Sequence, residues 1–158
     1  MGYDIDQRIF IDAPPERVWT WVVEDVERER RWRNIDGTGV LTLEKLDDGP
    51  VKEGTRFHGT VKAGPGKPQA YTNVVTELDD HRRIAWETTD AEGPTLGHGV
   101  YELTPESGGT RFRIRLAYPA RTFVGRIMRP IMRFMGGRFF IPKMLEKLKR
   151  LVEADLDS

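Results

Sequence analysis

The stretch from residue 39 to 118 constrains the fold most. Six segments, 39–46, 55–63, 69–78, 82–89, 97–104 and 110–118, read as short strands in which apolar and polar side chains tend to alternate. Turn chemistry separates them: Asp47-Asp48-Gly49-Pro50, Gly64-Pro65-Gly66-Lys67-Pro68, Asp79-Asp80-His81, Asp90-Ala91-Glu92-Gly93-Pro94 and Ser107-Gly108-Gly109. Parallel neighbours need crossovers of roughly a dozen residues or more, so gaps this short predict consecutive antiparallel hairpins.

Helical patterns flank this block. Residues 5–11 form a first strand, and Asp12-Ala13-Pro14-Pro15-Glu16 then opens a helix, because prolines and acids suit a helix's first turn. Val18, Trp19, Val22, Val23 and Val26 make one apolar face of about three turns. Residues 27–33 read as a charged, solvated run with Trp32 as its one large apolar anchor. Near the other end, Val124, Ile127, Met128, Ile131, Met132 and Met135 repeat at helical spacing. Pro130 is expected to kink that segment and Gly136-Gly137 to interrupt it. A second stripe follows Pro142 through Leu145, Leu148, Leu151, Val152 and Leu156. The order predicts one α+β domain over residues 1–158, its antiparallel sheet covering its apolar face with a helix.

Composition excludes the extremes. Hydrophobic residues make up 38% and charged ones 32% of the chain, which suits a globular domain and is too apolar for disorder. No apolar run reaches the ~18 residues of a membrane-spanning helix. The first twenty residues lack a signal-peptide layout, and the absence of cysteine leaves a cytoplasmic location as the expectation. Cysteine is absent, which removes disulfides and thiolate chemistry. The 25 basic and 25 acidic groups cancel, yet residues 111–158 hold 12 basic groups against 4 acidic ones. That balance argues against a dedicated nucleic-acid binder, and aromatic residues are not interleaved with the basic ones as stacking platforms require.

Alternation places candidate binding residues. Phe57 and Val61 share one face, as do Phe112, Ile114 and Leu116, opposite Arg111, Arg113 and Arg115. Those arginines read as an outer face paired with acids such as Glu102. Ile84, Trp86 and Thr88 share a face, and so do Gly97, Gly99, Tyr101 and Leu103. Glycine beside Tyr101 removes volume, either for a ligand or for a bend in the sheet. Segment 69–78 does not alternate cleanly, because Val74, Val75 and Leu78 cannot all face one way; a bulge is expected there, which leaves the faces of Tyr71 and Asn73 open.

Several fragments together resemble the START-like or SRPBCC superfamily, including its polyketide cyclase/dehydrase-like members. They are Ile11-Asp12-Ala13-Pro14-Pro15-Glu16-Arg17-Val18-Trp19, Trp32, Val75-Thr76-Glu77-Leu78-Asp79-Asp80-His81-Arg82-Arg83-Ile84-Ala85-Trp86, Tyr101-Glu102-Leu103-Thr104-Pro105, Gly108-Gly109-Thr110-Arg111-Phe112 and the stretch from Leu145 to Glu153. The resemblance implies a helix-grip fold, a curved antiparallel sheet of about seven strands wrapped around a long C-terminal helix, with a short helical segment after the first strand. It also implies a hydrophobic cavity between sheet and helix. The expected function is binding of a hydrophobic or amphipathic small molecule, with Phe57, Val61, Tyr71, Trp86, Thr88, Gly99, Tyr101, Phe112, Ile114, Met128, Met132 and Met135 as candidate contacts.

Two alternatives stand beside that reading. One is a polyketide cyclase/aromatase- or dehydratase-like enzyme using the same cavity, with Tyr101 or His98 as the weak candidates for acid–base chemistry. The other is a cargo module that meets a membrane or partner through residues 121–140, where an apolar stripe is flanked by arginines. No metal site is expected, because His58, His81 and His98 lie far apart without ligand spacing. No cofactor motif is complete: Gly64-Pro65-Gly66-Lys67 lacks the full phosphate-loop spacing, and no nucleophile elbow is present. Oligomeric state is not encoded in any pattern.

Overall fold

The computed structural model describes residues 3–62, 67–89, 95–117 and 136–155. Eight antiparallel strands form one sheet: β1 (Ile5–Ile11), β2 (Asn34–Ile35), β3 (Thr38–Lys45), β4 (Arg56–Lys62), β5 (Gln69–Asp79), β6 (Arg83–Thr89), β7 (Thr95–Glu106) and β8 (Gly109–Ala117). Their order is β1-β8-β7-β6-β5-β4-β3-β2, so every sequential pair from β2 to β8 is a neighbour. All six segments expected from the turn chemistry are strands. The short β2 is an addition to the expected seven; two residues are too few to show a period.

Between β1 and β2 the chain is helical in pieces. Helix α1 (Pro15–Trp19) runs into a π-helical stretch (Thr20–Glu24), and α2 (Val26–Trp32) follows. Pro15 sits where its missing N–H costs nothing. Asp25 leaves the helical region and caps α2, its carboxylate accepting from the amides of Glu27 and Arg28 at 3.0 and 3.2 Å. The expected solvated run is therefore an ordered helix. Trp32 is fully buried and donates from its indole to the Trp21 carbonyl at 3.0 Å.

Helix α3 (Ile141–Ala154) begins after a π-helical turn (Gly136–Phe140), where the paired glycines were expected to interrupt the helix. Its Ile141, Met144, Leu145, Leu148 and Val152 are buried, completing a core with Ile5, Ile11, Val18, Trp32, Phe112 and Ile114. Leu151 is only partly buried and packs at the edge of this core.

The sheet registers explain which side chains face inward. Trp86 pairs with Gly99, and Gly99 with Leu116. Ile84 pairs with Tyr101, and Tyr101 with Ile114. In β5 the register shifts between Val75 and Glu77, which is the expected bulge. It puts Tyr71 and Val75 inward while letting Leu78 pack against the core further along.

The outer face explains part of the charge asymmetry. Arg113 grips Asp6 through two bonds of 2.7 and 2.6 Å, and Arg111 grips Glu106 through bonds of 3.1 and 2.7 Å. Arg115 and Arg83 both reach Glu102. The Arg113 hydrogen bonds hold the Asp6 carboxyl below the usual carboxylate range. The basic strand β8 thus lies between acids of β1 and β7.

Candidate functional site

On its concave side the sheet does not pack solidly against the segment between β1 and β2. Two adjoining lobes with shared walls remain. The inner lobe has a volume of about 30 Å³ and lies between Val22, Val23, Glu29 and Arg33 on one side and Leu43, Phe57, Val75, Ile84 and Tyr101 on the other. The outer lobe, of about 130 Å³, is bounded by Val40, Val61, Thr88, Gly97, Leu116 and Ala117 among others. Arg33, Tyr71, Asn73 and Trp86 line both. Among the described residues, the walls come from the sheet and from residues 22–33. No residue of α3 lines either lobe, because its apolar stripe is spent on the core.

A polar cluster sits in this apolar setting. The Tyr101 hydroxyl donates to Glu29 Oε2 at 2.8 Å and accepts from Arg33 Nη1 at 2.8 Å. Arg33 Nη1 lies 3.8 Å from the same carboxylate oxygen. Burial pushes the Glu29 carboxyl up, with Arg33 and the Tyr101 hydroxyl opposing it. Tyr101 is held well above its ordinary value, chiefly by burial, so it stays a neutral donor. Tyr71 is pushed up to about 12 for the same first reason. Asn73 accepts from the Thr88 hydroxyl at 2.6 Å.

Local structure holds each member. Glu29 and Arg33 are one helical turn apart, and the Arg33 carbonyl accepts from the Val40 amide at 3.0 Å, tying the end of α2 to β3. Two glycines make room for aromatic rings. A Cβ on Gly99 would lie 2.4 Å from Trp86 Cζ2, and one on Gly59 would lie 2.7 Å from the Tyr71 hydroxyl. The Gly99 position is filled by the Trp86 ring, not left open to a ligand.

The expected contacts divide accordingly. Phe57, Val61, Tyr71, Trp86, Thr88 and Tyr101 line the lobes. Phe112 and Ile114 are fully buried in the core, and neither lines a lobe; the Phe112 ring lies 5.3 Å from that of Tyr101 and 6.0 Å from that of Trp32. His98 borders the outer lobe, but its side chain is exposed and meets Tyr3 edge-on, at 5.5 Å between ring centroids. Met128, Met132 and Met135 lie outside the described residues, as does most of segment 121–140. Glu29 and Arg33 were missed as site residues. Their signal was present: Val22, Val26, Glu29 and Arg33 continue the helix's apolar spacing, so two charges fall on a buried face. Among the described residues there is no group of acids and histidines that could hold a metal.

A curved antiparallel sheet closed by helices over a polar-anchored apolar cavity defines a helix-grip protein. The chain belongs to the family described as polyketide cyclase / dehydrase and lipid transport, which it matches over residues 3–153. This agrees with the START-like resemblance in its sequence. Among solved structures, the protein TTHA0849 from Thermus thermophilus superposes with a TM-score of 0.75 at 23% identity, covering 96% of this chain and 98% of that one. Protein NE0264 from Nitrosomonas europaea gives 0.73 at 17% identity, covering 98% of both chains. The polyketide-cyclase-like protein Cgl2372 from Corynebacterium glutamicum gives 0.66 at 19% identity, covering 97% and 93%. At these identities the likeness is one of fold. A search of curated proteins returns no match to the sequence.

Proposed function

We propose that the protein binds a hydrophobic or amphipathic small molecule in the two-lobed cavity. The observation that carries this reading is an apolar cavity with convergent polar groups, the arrangement small-molecule sites use for affinity and orientation. Val40, Val61, Trp86 and Leu116 supply apolar wall, while Arg33, Tyr71 and Asn73 supply polarity at the junction of the lobes. The family's description, which includes lipid transport, supports the same class of ligand. Native mass spectrometry of the purified protein tests it: a co-purified or added small molecule should be retained, and Gly97→Trp, which fills the outer lobe, should displace it. Retention unchanged in that variant would contradict the site.

A second reading is favoured by Glu29. A carboxyl group raised by burial, lining the inner lobe and bonded to a tyrosine, is what proton transfer to a bound substrate would need. Such an enzyme would position a reactive carbonyl compound near Glu29, with Arg33 countering charge that develops on its oxygen. Turnover of a bound polyketide-type chain that disappears in Glu29→Gln, with binding retained, would support it. Within segment 121–140 the described residues include exposed Phe139 beside Arg138, and no described helix is long and apolar enough to cross a bilayer.

A further inference from the structure

We propose that the outer lobe selects a small monocarboxylate whose body is about one aromatic ring in bulk, with its head on Arg33, Tyr71 and Asn73. This rests on the ligand-binding reading above and specifies its ligand.

Charge favours an anion. Among the described residues, the outer lobe is lined by one guanidinium and no carboxylate. Glu29 lines the inner lobe only, where the Tyr101 hydroxyl bonds it. A ligand in the outer lobe therefore meets Arg33 with the opposing acid on the far side.

Hydrogen-bond polarity favours the same head group. The Asn73 carbonyl already accepts from the Thr88 hydroxyl, whereas its amide N–H₂ forms no hydrogen bond among the described residues. Tyr71 is a buried residue that lines both lobes, and its hydroxyl forms no hydrogen bond among the described residues. With its pKa pushed up to about 12, it remains an O–H donor at neutral pH. A wall with donors to spare fits a ligand rich in acceptors, and donors to an ionised oxygen make the stronger bonds.

Size sets the body. The outer lobe's volume of about 130 Å³ is close to that of an apolar cavity of about 150 Å³ that admits benzene. Trp86, Val61 and Leu116 give that body an apolar bed.

The test titrates the whole protein at pH 7.5, in a buffer free of carboxylates, with 4-methylbenzoate, 4-methylbenzyl alcohol and acetate, followed by calorimetry. The aromatic acid should bind at least about tenfold tighter than the alcohol, and acetate should not bind measurably. Asn73→Asp, which places a negative charge against the head, should abolish that preference. Tyr71→Phe should weaken the acid about tenfold and the alcohol less. Circular dichroism and thermal melts establish that both variants fold; if Asn73→Asp does not, Tyr71→Phe carries the test alone. Equal affinity for acid and alcohol overturns the head-group assignment and leaves the ligand-binding reading standing. Binding of neither, with a larger molecule retained in native mass spectrometry, overturns the size and head group together. Binding of neither and an empty protein by mass spectrometry overturns both readings.

Discussion

The Tyr101 hydroxyl donates to the Glu29 carboxylate across 72 residues of sequence, at 2.8 Å. It joins the middle of the sheet to the last turns of the helical segment that closes the cavity. The same hydroxyl accepts from Arg33, so one phenol bridges a half-buried ion pair. Removing it takes one hydrogen bond from each of two charged, half-buried partners. Tyr101→Phe should lower unfolding stability by about 1–3 kcal/mol in urea titrations. Wild-type stability in the variant would show that the bridge contributes nothing to the fold.

Glu29 gives a pH signature whose sign is fixed by its surroundings. Burial raises its folded pKa above the ordinary 4.5, so the folded state holds the proton more tightly than the unfolded chain. Its contribution is greatest below 4.5 and is lost as pH rises through the folded value. Wild-type stability measured against Glu29→Gln from about pH 4 to 8 should therefore fall relative to the variant as pH increases. Parallel curves would show no perturbed titration at this position.

The acid limb has the opposite sign. Asp47 is lowered from 3.8 to about 2, chiefly by its side-chain hydrogen bond with Arg56. Its contribution is present above 3.8 and lost as pH falls towards 2. Asp47→Asn should flatten the loss of stability between about pH 4 and 2. An unchanged acid limb would assign that loss to the other paired carboxylates, Asp6, Glu106 and Glu153.

Gly99 and Trp86 test how closely the cavity wall is packed. A methyl group at 99 meets the indole at 2.4 and 2.7 Å. Gly99→Ala should cost about 1–3 kcal/mol and shift the tryptophan emission as the ring moves. A variant with unaltered stability and emission would mean the ring already has room.

The strand order and the inner faces were legible because turn residues mark each hairpin and a period of two needs no tertiary information. The β5 bulge was legible for the same reason: Val74, Val75 and Leu78 break the period. The site was only half legible. Tyr101 and Trp86 stood out by alternation, whereas Glu29 and Arg33 looked like part of a solvated charge run. Charge normally marks a wet face, and only their place on the continued Val22–Val26 spacing distinguishes them. Gly99 illustrates a different limit. Its missing side chain marks an empty volume, but the neighbour that fills it, Trp86, is set by strand register. The overall neutrality of the chain likewise conceals pairing, since Arg111 and Arg113 are matched one to one by Glu106 and Asp6.

The proposed ligand site lies between Arg33, Tyr71, Asn73 and Trp86. Amide and indole chemical shifts of ¹⁵N-labelled protein, followed during titration with 4-methylbenzoate, test it most directly. Saturable shifts are expected at the Trp86 indole, the Asn73 side-chain amide and the backbone of β5 and β6. Shifts confined to the outer-face arginines of β8, or none at saturating probe, would contradict it.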